Sequence, residues 1–246
     1  MEITQKSIIG ELVAENYQTA KVFKKHKIDF CCQGGRTVED ACKAKKLDAV
    51  EVVQHLNEIV RQRGDEVIDF KSWPMDLLVD YIEKKHHRYV EEQIPIIRPY
   101  LDKVARVHGD RHPELLEILG EFTAASAELT NHMWKEEHIL FPFIRKMVES
   151  VRNSTSFEPP QFGTVENPIR MMMEEHDTEG ERFKRIAELT ENYTPPADAC
   201  NTYRVSFALL KEFQEDLHLH IHLENNILFP AAANMEKRLQ YQTASQ

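Results

Sequence analysis

The sequence predicts an all-α protein, a four-helix bundle preceded by a small helical domain. Three observations predict it. Only 8 Gly occur among 246 residues, and alternating β-branched runs bounded by turn residues are scarce, which argues against strands. Apolar residues recur at i, i+3 and i+4 along most of the chain, the spacing of a half-buried helix. One stretch is used twice. His132 to Pro142 reads His-x-x-x-Glu-x-x-Ile-Leu-Phe-Pro, and His220 to Pro230 repeats that pattern 88 residues later.

Residues 1–63 read as the small domain. Ile8, Ile9, Leu12 and Val13 outline a first helix, and Ala20, Val22 and Phe23 a second. Thr37, with Asp40 three residues on, is an N-cap for a third over Val38–Ala44; Asp48 caps a fourth that points Val50, Val53, Leu56 and Ile59 inward. Between the second and third stands Ile28-Asp29-Phe30-Cys31-Cys32-Gln33-Gly34-Gly35. Gly34-Gly35 demands a turn, so the two thiols sit at a helix–loop junction where backbone can approach a neighbour closely. Four short helices make a thin core, and such a unit gains by leaning on a partner.

Residues 64–73 read as a polar linker, 74–240 as the bundle and 241–246 as a frayed tail. Pro74-Met75 starts the first long helix, which runs through His86-His87 toward Val107; Pro95 and Pro99 predict a kink or a break in it. Gly109-Asp110 turns the chain. The second helix starts at Pro113 and continues past Phe143, bent late by Pro142. Asn167-Pro168 opens the third, which carries His176 and ends near Asn192, and the fourth spans Asp198 to Leu239.

Residues four apart on a helix share a face. Each copy of the repeated stretch therefore projects an imidazole and a carboxylate together, a nitrogen and oxygen set that suits iron, manganese or zinc. The repeat extends upstream: His87 precedes His132 by 45 residues, and His176 precedes His220 by 44. Two helical hairpins packed face to face would turn four His and two Glu inward, enough for two metals with carboxylates to bridge them.

Composition narrows the partners. Lys+Arg 31 against Asp+Glu 41 gives a net charge of −10, which disfavours nucleic acid and anionic membrane surfaces. No apolar run approaches the roughly 18 residues of a membrane span, and Met1 to Lys6 lacks the pattern of a signal peptide. Four Cys, two of them adjacent, make no disulfide framework, so a reducing cytoplasm is the expected compartment.

With these residues in view, the chain resembles the hemerythrin-like di-iron bundles. Asp29-Phe30-Cys31-Cys32-Gln33-Gly34-Gly35, followed by Thr37-Val38-Glu39-Asp40-Ala41-Cys42, is similar to the short domain preceding such a bundle in the repair-of-iron-centres subfamily. The resemblance covers nearly the whole chain. It implies ligands at His87, His132, Glu136, His176, His220 and Glu224, holding two iron ions bridged by the carboxylates and an oxo or hydroxo group. His87 is preferred to His86 because Glu92-Gln93-Ile94-Pro95 aligns with the family's Glu-Gln-hydrophobic-Pro. Oxygen-carrying hemerythrins have a fifth His where this chain has Gly180 and end in His-x-x-x-x-Asp, so oxygen transport is disfavoured. The implied role is repair of iron–sulfur proteins damaged by nitrosative or oxidative stress, through iron donation or nitric oxide or peroxide chemistry at the di-iron centre. Nitric oxide and oxygen are the implied small ligands, and a homodimer is compatible. The competing reading is a metal-, oxygen- or nitric oxide-sensing module that signals through its N-terminal domain.

Plainer roles account for other residues. His86, His138, His218 and His222 flank ligands on other helix faces and read as solvated or outer contacts. Met171, Met172 and Met173 read as core filling, since thioethers suit a carboxylate-bridged pair poorly. Cys31-Cys32 is either a buried pair closing a junction or a thiol pair that handles iron, sulfur or a redox change; Cys42 either joins it or packs. Cys200 reads as structural. Glu83, Glu137 and Glu175 flank the ligands as candidate proton relays or ion exits.

Overall fold

The computed structural model describes residues 3–61, 68–155 and 157–244. Helices dominate, and among the described residues the only extended pairing is one antiparallel bridge between Ile8 and Thr37. The chain forms two compact units, one of Met1–Leu78 with Ile221–Gln246 and the other of Val79–His220. This grouping cuts across the expected 74–240 segment, because residues from Ile221 onward associate with the N-terminal helices. Residues 64–67 of the expected linker and 245–246 of the expected tail lie outside the described residues.

The first unit contains α1 (Ile9–Glu15), α2 (Thr19–Lys25), α3 (Val38–Lys45) and α4 (Ala49–Arg61). Thr37 caps α3 as its sequence requires: its hydroxyl accepts from Asp40 N at 3.1 Å and donates to Asp40 Oδ2 at 2.7 Å. Ile9, Leu12, Phe23, Phe30, Val38 and Leu56 are buried together with Val52. Val50, expected inward, is 50% exposed; the helical period gives the core face to Val52 and Leu56, four apart. The closing helix, α11 (Phe229–Ala244), continues past the expected start of the tail.

In the second unit, a π-helical turn at Ile82–His87 follows α5 (Met75–Tyr81), a helix that the division crosses, and leads into α6 (Arg88–His108). Then come α7 (Glu114–Lys135), a π turn at Glu136–Leu140, α8 (Phe141–Asn153), α9 (Glu166–Leu189) and α10 (Asn201–Leu223). Phe213 lies 5.5 Å from both Phe122 and Phe183, edge-on to one and stacked on the other, and all three are buried. The break expected at Pro95 and Pro99 does not occur, for both lie inside α6. They sit four apart on an exposed face, where water can satisfy the carbonyls whose helical donors they lack. The third helix starts at Glu166, one residue before the expected cap, and ends at Leu189.

The proline of the repeated stretch has a visible effect. Pro142 has no N–H and would press on the carbonyl of residue 138 in a regular helix. The backbone widens before it, so that Phe141 N–H bonds Glu136 O, five residues back. The second copy does the same before Pro230, with Phe229 N–H bonding Glu224 O. Both carboxylates of the repeat therefore open a π turn, a distortion that recurs at functional sites.

Candidate metal centre

Within the Val79–His220 unit, five of the six expected ligands converge. His87 ends the first π turn, His132 lies in the last turn of α7, Glu136 opens the next π turn, His176 is mid-α9 and His220 is near the end of α10. All five are buried, Glu136 completely. His87, Glu136 and His220 each offer a ligand atom within 4.8 Å of the others, and so do His132, Glu136 and His176. Glu136 belongs to both groups. Its Oε2 lies 3.4 Å from His87 Nε2 and 3.3 Å from His132 Nε2, while the Nε2 atoms of His132 and His176 are 2.9 Å apart. Glu224 is fully buried one helical turn beyond His220 along the chain.

A second layer fixes the imidazoles. His87 Nδ1 lies 2.9 Å from Glu137 Oε1, and His132 Nδ1 lies 2.8 Å from Glu175 Oε2. An ionised carboxylate only accepts, so each Nδ1 carries a proton, which leaves Nε2 of the neutral ring as the atom available to a cation. Glu137 is held in turn by Arg88 Nη2 at 3.0 Å, and Glu175 by Lys135. The His132 hydrogen bond, aided by Lys135, holds the Glu175 carboxyl down at about 2, so it is ionised across the physiological range. His87 also stacks on Phe141, with centroids 5.5 Å apart and planes at 16°.

The donor set fits a metal of the iron, manganese or zinc type. Imidazole lone pairs and a carboxylate face one another in a buried space, and close approach of such groups is costly without a positive charge between them. The chemistry a metal pair would supply here is binding of small anionic or diatomic ligands at coordination positions the protein leaves open.

The other motif lies wholly in the first unit. Asp29 Oδ1 accepts the backbone N–H of Cys31 and of Cys32, both at 3.0 Å, and the Cys31 thiol at 3.3 Å. The two Sγ atoms are 3.8 Å apart, and neither cysteine is in a disulfide. The Cys32 contact, burial and the nearby Asp29 charge push the Cys31 thiol well above the ordinary range, so it is protonated at neutral pH. The loop is fastened to the segment that follows Ile221. Asn225 Nδ2 donates to Cys31 O at 3.3 Å, and Asn226 Nδ2 donates to the same carbonyl at 3.1 Å. Asn226 also contacts His222 Nδ1 at 3.1 Å, and the buried His222 ring lies 6.0 Å from Tyr17 and from Phe30.

Comparison with known proteins agrees with this geometry. Residues 79–232 match the hemerythrin HHE cation binding domain, and residues 5–60 match a domain described only as of unknown function. The chain is 35% identical over 228 residues to a protein of Yersinia pseudotuberculosis serotype IB named iron–sulfur cluster repair protein YtfE, covering 93% of this chain and 97% of that one. It is 31% identical over 230 residues to iron–sulfur cluster repair protein ScdA of Staphylococcus haemolyticus, covering 92% and 98%. The chain belongs to the hemerythrin-like iron–sulfur cluster repair family.

For this repair-family chain, the structure separates the roles left open for the flanking residues. His86 is an outer contact and not a solvated side chain: it is completely buried, with Nδ1 3.0 Å from Asp216 Oδ2 and its ring stacked on His220 at 5.6 Å. Asp216, one turn before His220, carried no motif that marked it. His222 is also buried, whereas His138 is exposed and its Nδ1 bonds Trp134 O. Of the methionines only Met172 is core; Met171 and Met173 are 48% and 38% exposed because consecutive helical residues face about 100° apart. Glu83 pairs with Arg145 at 2.7 Å and not with a ligand. Beyond His176 the residue buried inward is Glu179, with Arg182 Nε at 3.2 Å, and burial raises its pKa. An acidic residue three positions from a ligand was the available signal for it. No helix among the described residues is long and apolar enough to cross a membrane.

Proposed function

We propose that this protein holds two iron ions through His87, His132, Glu136, His176, His220 and Glu224, and serves the repair of iron–sulfur clusters damaged by nitrosative or oxidative stress. Glu136 carries the reading: one buried carboxylate faces two histidine groups, with Oε2 3.4 and 3.3 Å from His87 and His132 Nε2. A carboxylate shared in this way suits two cations with one His pair each, His87 with His220 and His132 with His176. Glu224, one turn past His220, is the second carboxylate in this reading. The names of the relatives support the repair role.

Each residue then has a definite task. Imidazole nitrogens hold the irons, Glu137 and Glu175 orient two of the rings, and the absence of a side chain at Gly180 leaves more open positions than an oxygen carrier has. Nitric oxide is a fitting small ligand for such positions. Cys31 and Cys32 handle iron, sulfur or electrons passed to a damaged protein, in a domain ending near residue 63 that precedes the ligand-bearing helices. The cytoplasm is the fitting compartment.

The test uses full-length protein purified without air. Iron-loaded wild type should restore activity to an aconitase-type enzyme whose cluster nitric oxide has damaged, and the iron-poor Glu136→Ala variant should not. If loaded wild type gives no more recovery than free iron, the repair role is lost, while the iron count independently judges the metal centre.

A further inference from the structure

The sequence treats Cys200 as structural, yet its surroundings are those of a reactive thiol. It immediately precedes α10, 23 residues long, and its carbonyl accepts Arg204 N–H at 3.1 Å, the first bond of that helix. That end of a helix favours negative charge. The independent observation lies across the unit. His108, the last residue of α6 and only 6% exposed, points Nε2 at Cys200 Sγ from 3.3 Å. Its Nδ1 has no hydrogen-bond partner among the described residues, so the ring's one polar contact is the sulfur. The thiol itself is exposed.

We propose that Cys200 and His108 form a nucleophile–base pair that reacts with hydroperoxides, a modification site separate from the His/Glu centre. His108 Nε2 takes the thiol proton, giving a thiolate beside an imidazolium. The thiolate attacks one peroxide oxygen; an S–O bond forms, the O–O bond breaks, and sulfur gives up two electrons. The departing alkoxide or hydroxide takes the proton back from His108, so thiol and hydroperoxide become sulfenic acid and alcohol or water. All other cysteines lie in the first unit. A small external thiol resolves the sulfenic acid, forming a mixed disulfide and releasing water.

The neighbouring charges permit a thiolate. Asp198, two residues before, is matched by Arg111 Nη1 at 2.9 Å and His112 Nε2 at 3.1 Å. Glu114 engages the other nitrogen of His112 at 3.1 Å. Tyr203, whose ring lies edge-on to His108 at 5.4 Å, has its hydroxyl pushed up to about 12 by burial and stays neutral. The nearby backbone N–H groups of Tyr203 and Thr202 lower the Cys200 pKa, in agreement with this arrangement.

The test follows iodoacetamide alkylation of Cys200 against pH by peptide mass spectrometry, on native full-length protein and on the same protein unfolded in guanidinium. The native midpoint should lie below the unfolded one, which should fall near the ordinary value of about 8.5. After dilute hydrogen peroxide, a sulfenic-acid trap such as dimedone should label Cys200 in wild type. It should label His108→Gln roughly tenfold more slowly, because Gln cannot take and return the proton. If His108→Gln does not fold, the wild-type midpoint and labelling decide alone. A native midpoint equal to or above the unfolded one, or wild-type labelling no faster than that of the unfolded chain, overturns the proposal.

Discussion

Gly10→Ala separates what the structure predicts from what local propensity predicts. Alanine inside a helix is favoured over glycine by about 1 kcal/mol, and Gly10 is the second residue of α1. In the fold a Cβ at Gly10 would lie 2.2 Å from Asn226 Oδ1, 2.8 Å from Asn226 Cγ and 3.2 Å from Gly34 O. Backbone retreat is restricted, since Gly10 N already donates to Gly34 O at 2.7 Å and Ile9 N to Arg36 O at 3.0 Å. If Asn226 moves instead, its hydrogen bonds to Cys31 O and His222 are lost, at about 1 kcal/mol each. Forced overlap in a packed site costs a further 1–3 kcal/mol or so. Against the gain in propensity, the net effect is a destabilisation of about 2–4 kcal/mol. Trp73 belongs to the first unit and Trp134, 56% exposed, to the second. Urea unfolding followed by Trp73 fluorescence in a Trp134→Phe background should show a lower midpoint for Gly10→Ala. Adding Asn226→Ala should shrink the penalty, because the clashing amide is gone. A raised midpoint, or a penalty unchanged by Asn226→Ala, would refute the reasoning.

Three further outcomes are expected. Cys31→Ser with Cys32→Ser should leave bound iron unchanged and reduce cluster repair; full repair by the double variant would make the pair structural. Burial lowers the His222 pKa to about 3, so the folded chain keeps it neutral while the unfolded chain protonates it below about 6.5. Its share of stability is complete above that pH and is lost as pH falls toward 3, at up to about 1.4 kcal/mol per unit; His222→Gln should flatten the Trp73-monitored stability slope between roughly pH 6 and 4, and an unchanged slope would remove His222 as the cause. Gly180→His should slow iron release to a chelator at equal initial loading, helped by a helix propensity better by a few tenths of a kcal/mol. An equal or faster release would place the open coordination position elsewhere.

The helices, the thiol turn and the placing of five candidate ligands near one another were legible because each rests on a short-range rule. The spacing of His132 and Glu136 turns both to one face, and the repeated stretch announces the second hairpin. Gly34 marked a close backbone approach, and the structure supplies it, with Gly10 Cα 3.0 Å from where its Cβ would lie. What escaped depends on which surfaces meet. Nothing in the residues around Asn226 reveals that its amide holds Cys31 O, and nothing near His86 reveals that Asp216 awaits it 130 residues away. The π turns at Glu136 and Glu224 follow from Pro142 and Pro230 only once the helix is known to continue through them. Pro95 and Pro99 do not break their helix, since solvent on their face makes the lost hydrogen bonds inexpensive.

The most direct test of the His/Glu centre is metal analysis of full-length protein purified without air, paired with Glu136→Ala. Wild type should carry about two irons per chain, the count a carboxylate facing two histidine groups implies. Glu136→Ala should lose at least one while keeping its helix content by circular dichroism. A wild type with less than one iron per chain after anaerobic reconstitution, or a folded Glu136→Ala that retains both irons, would contradict the account.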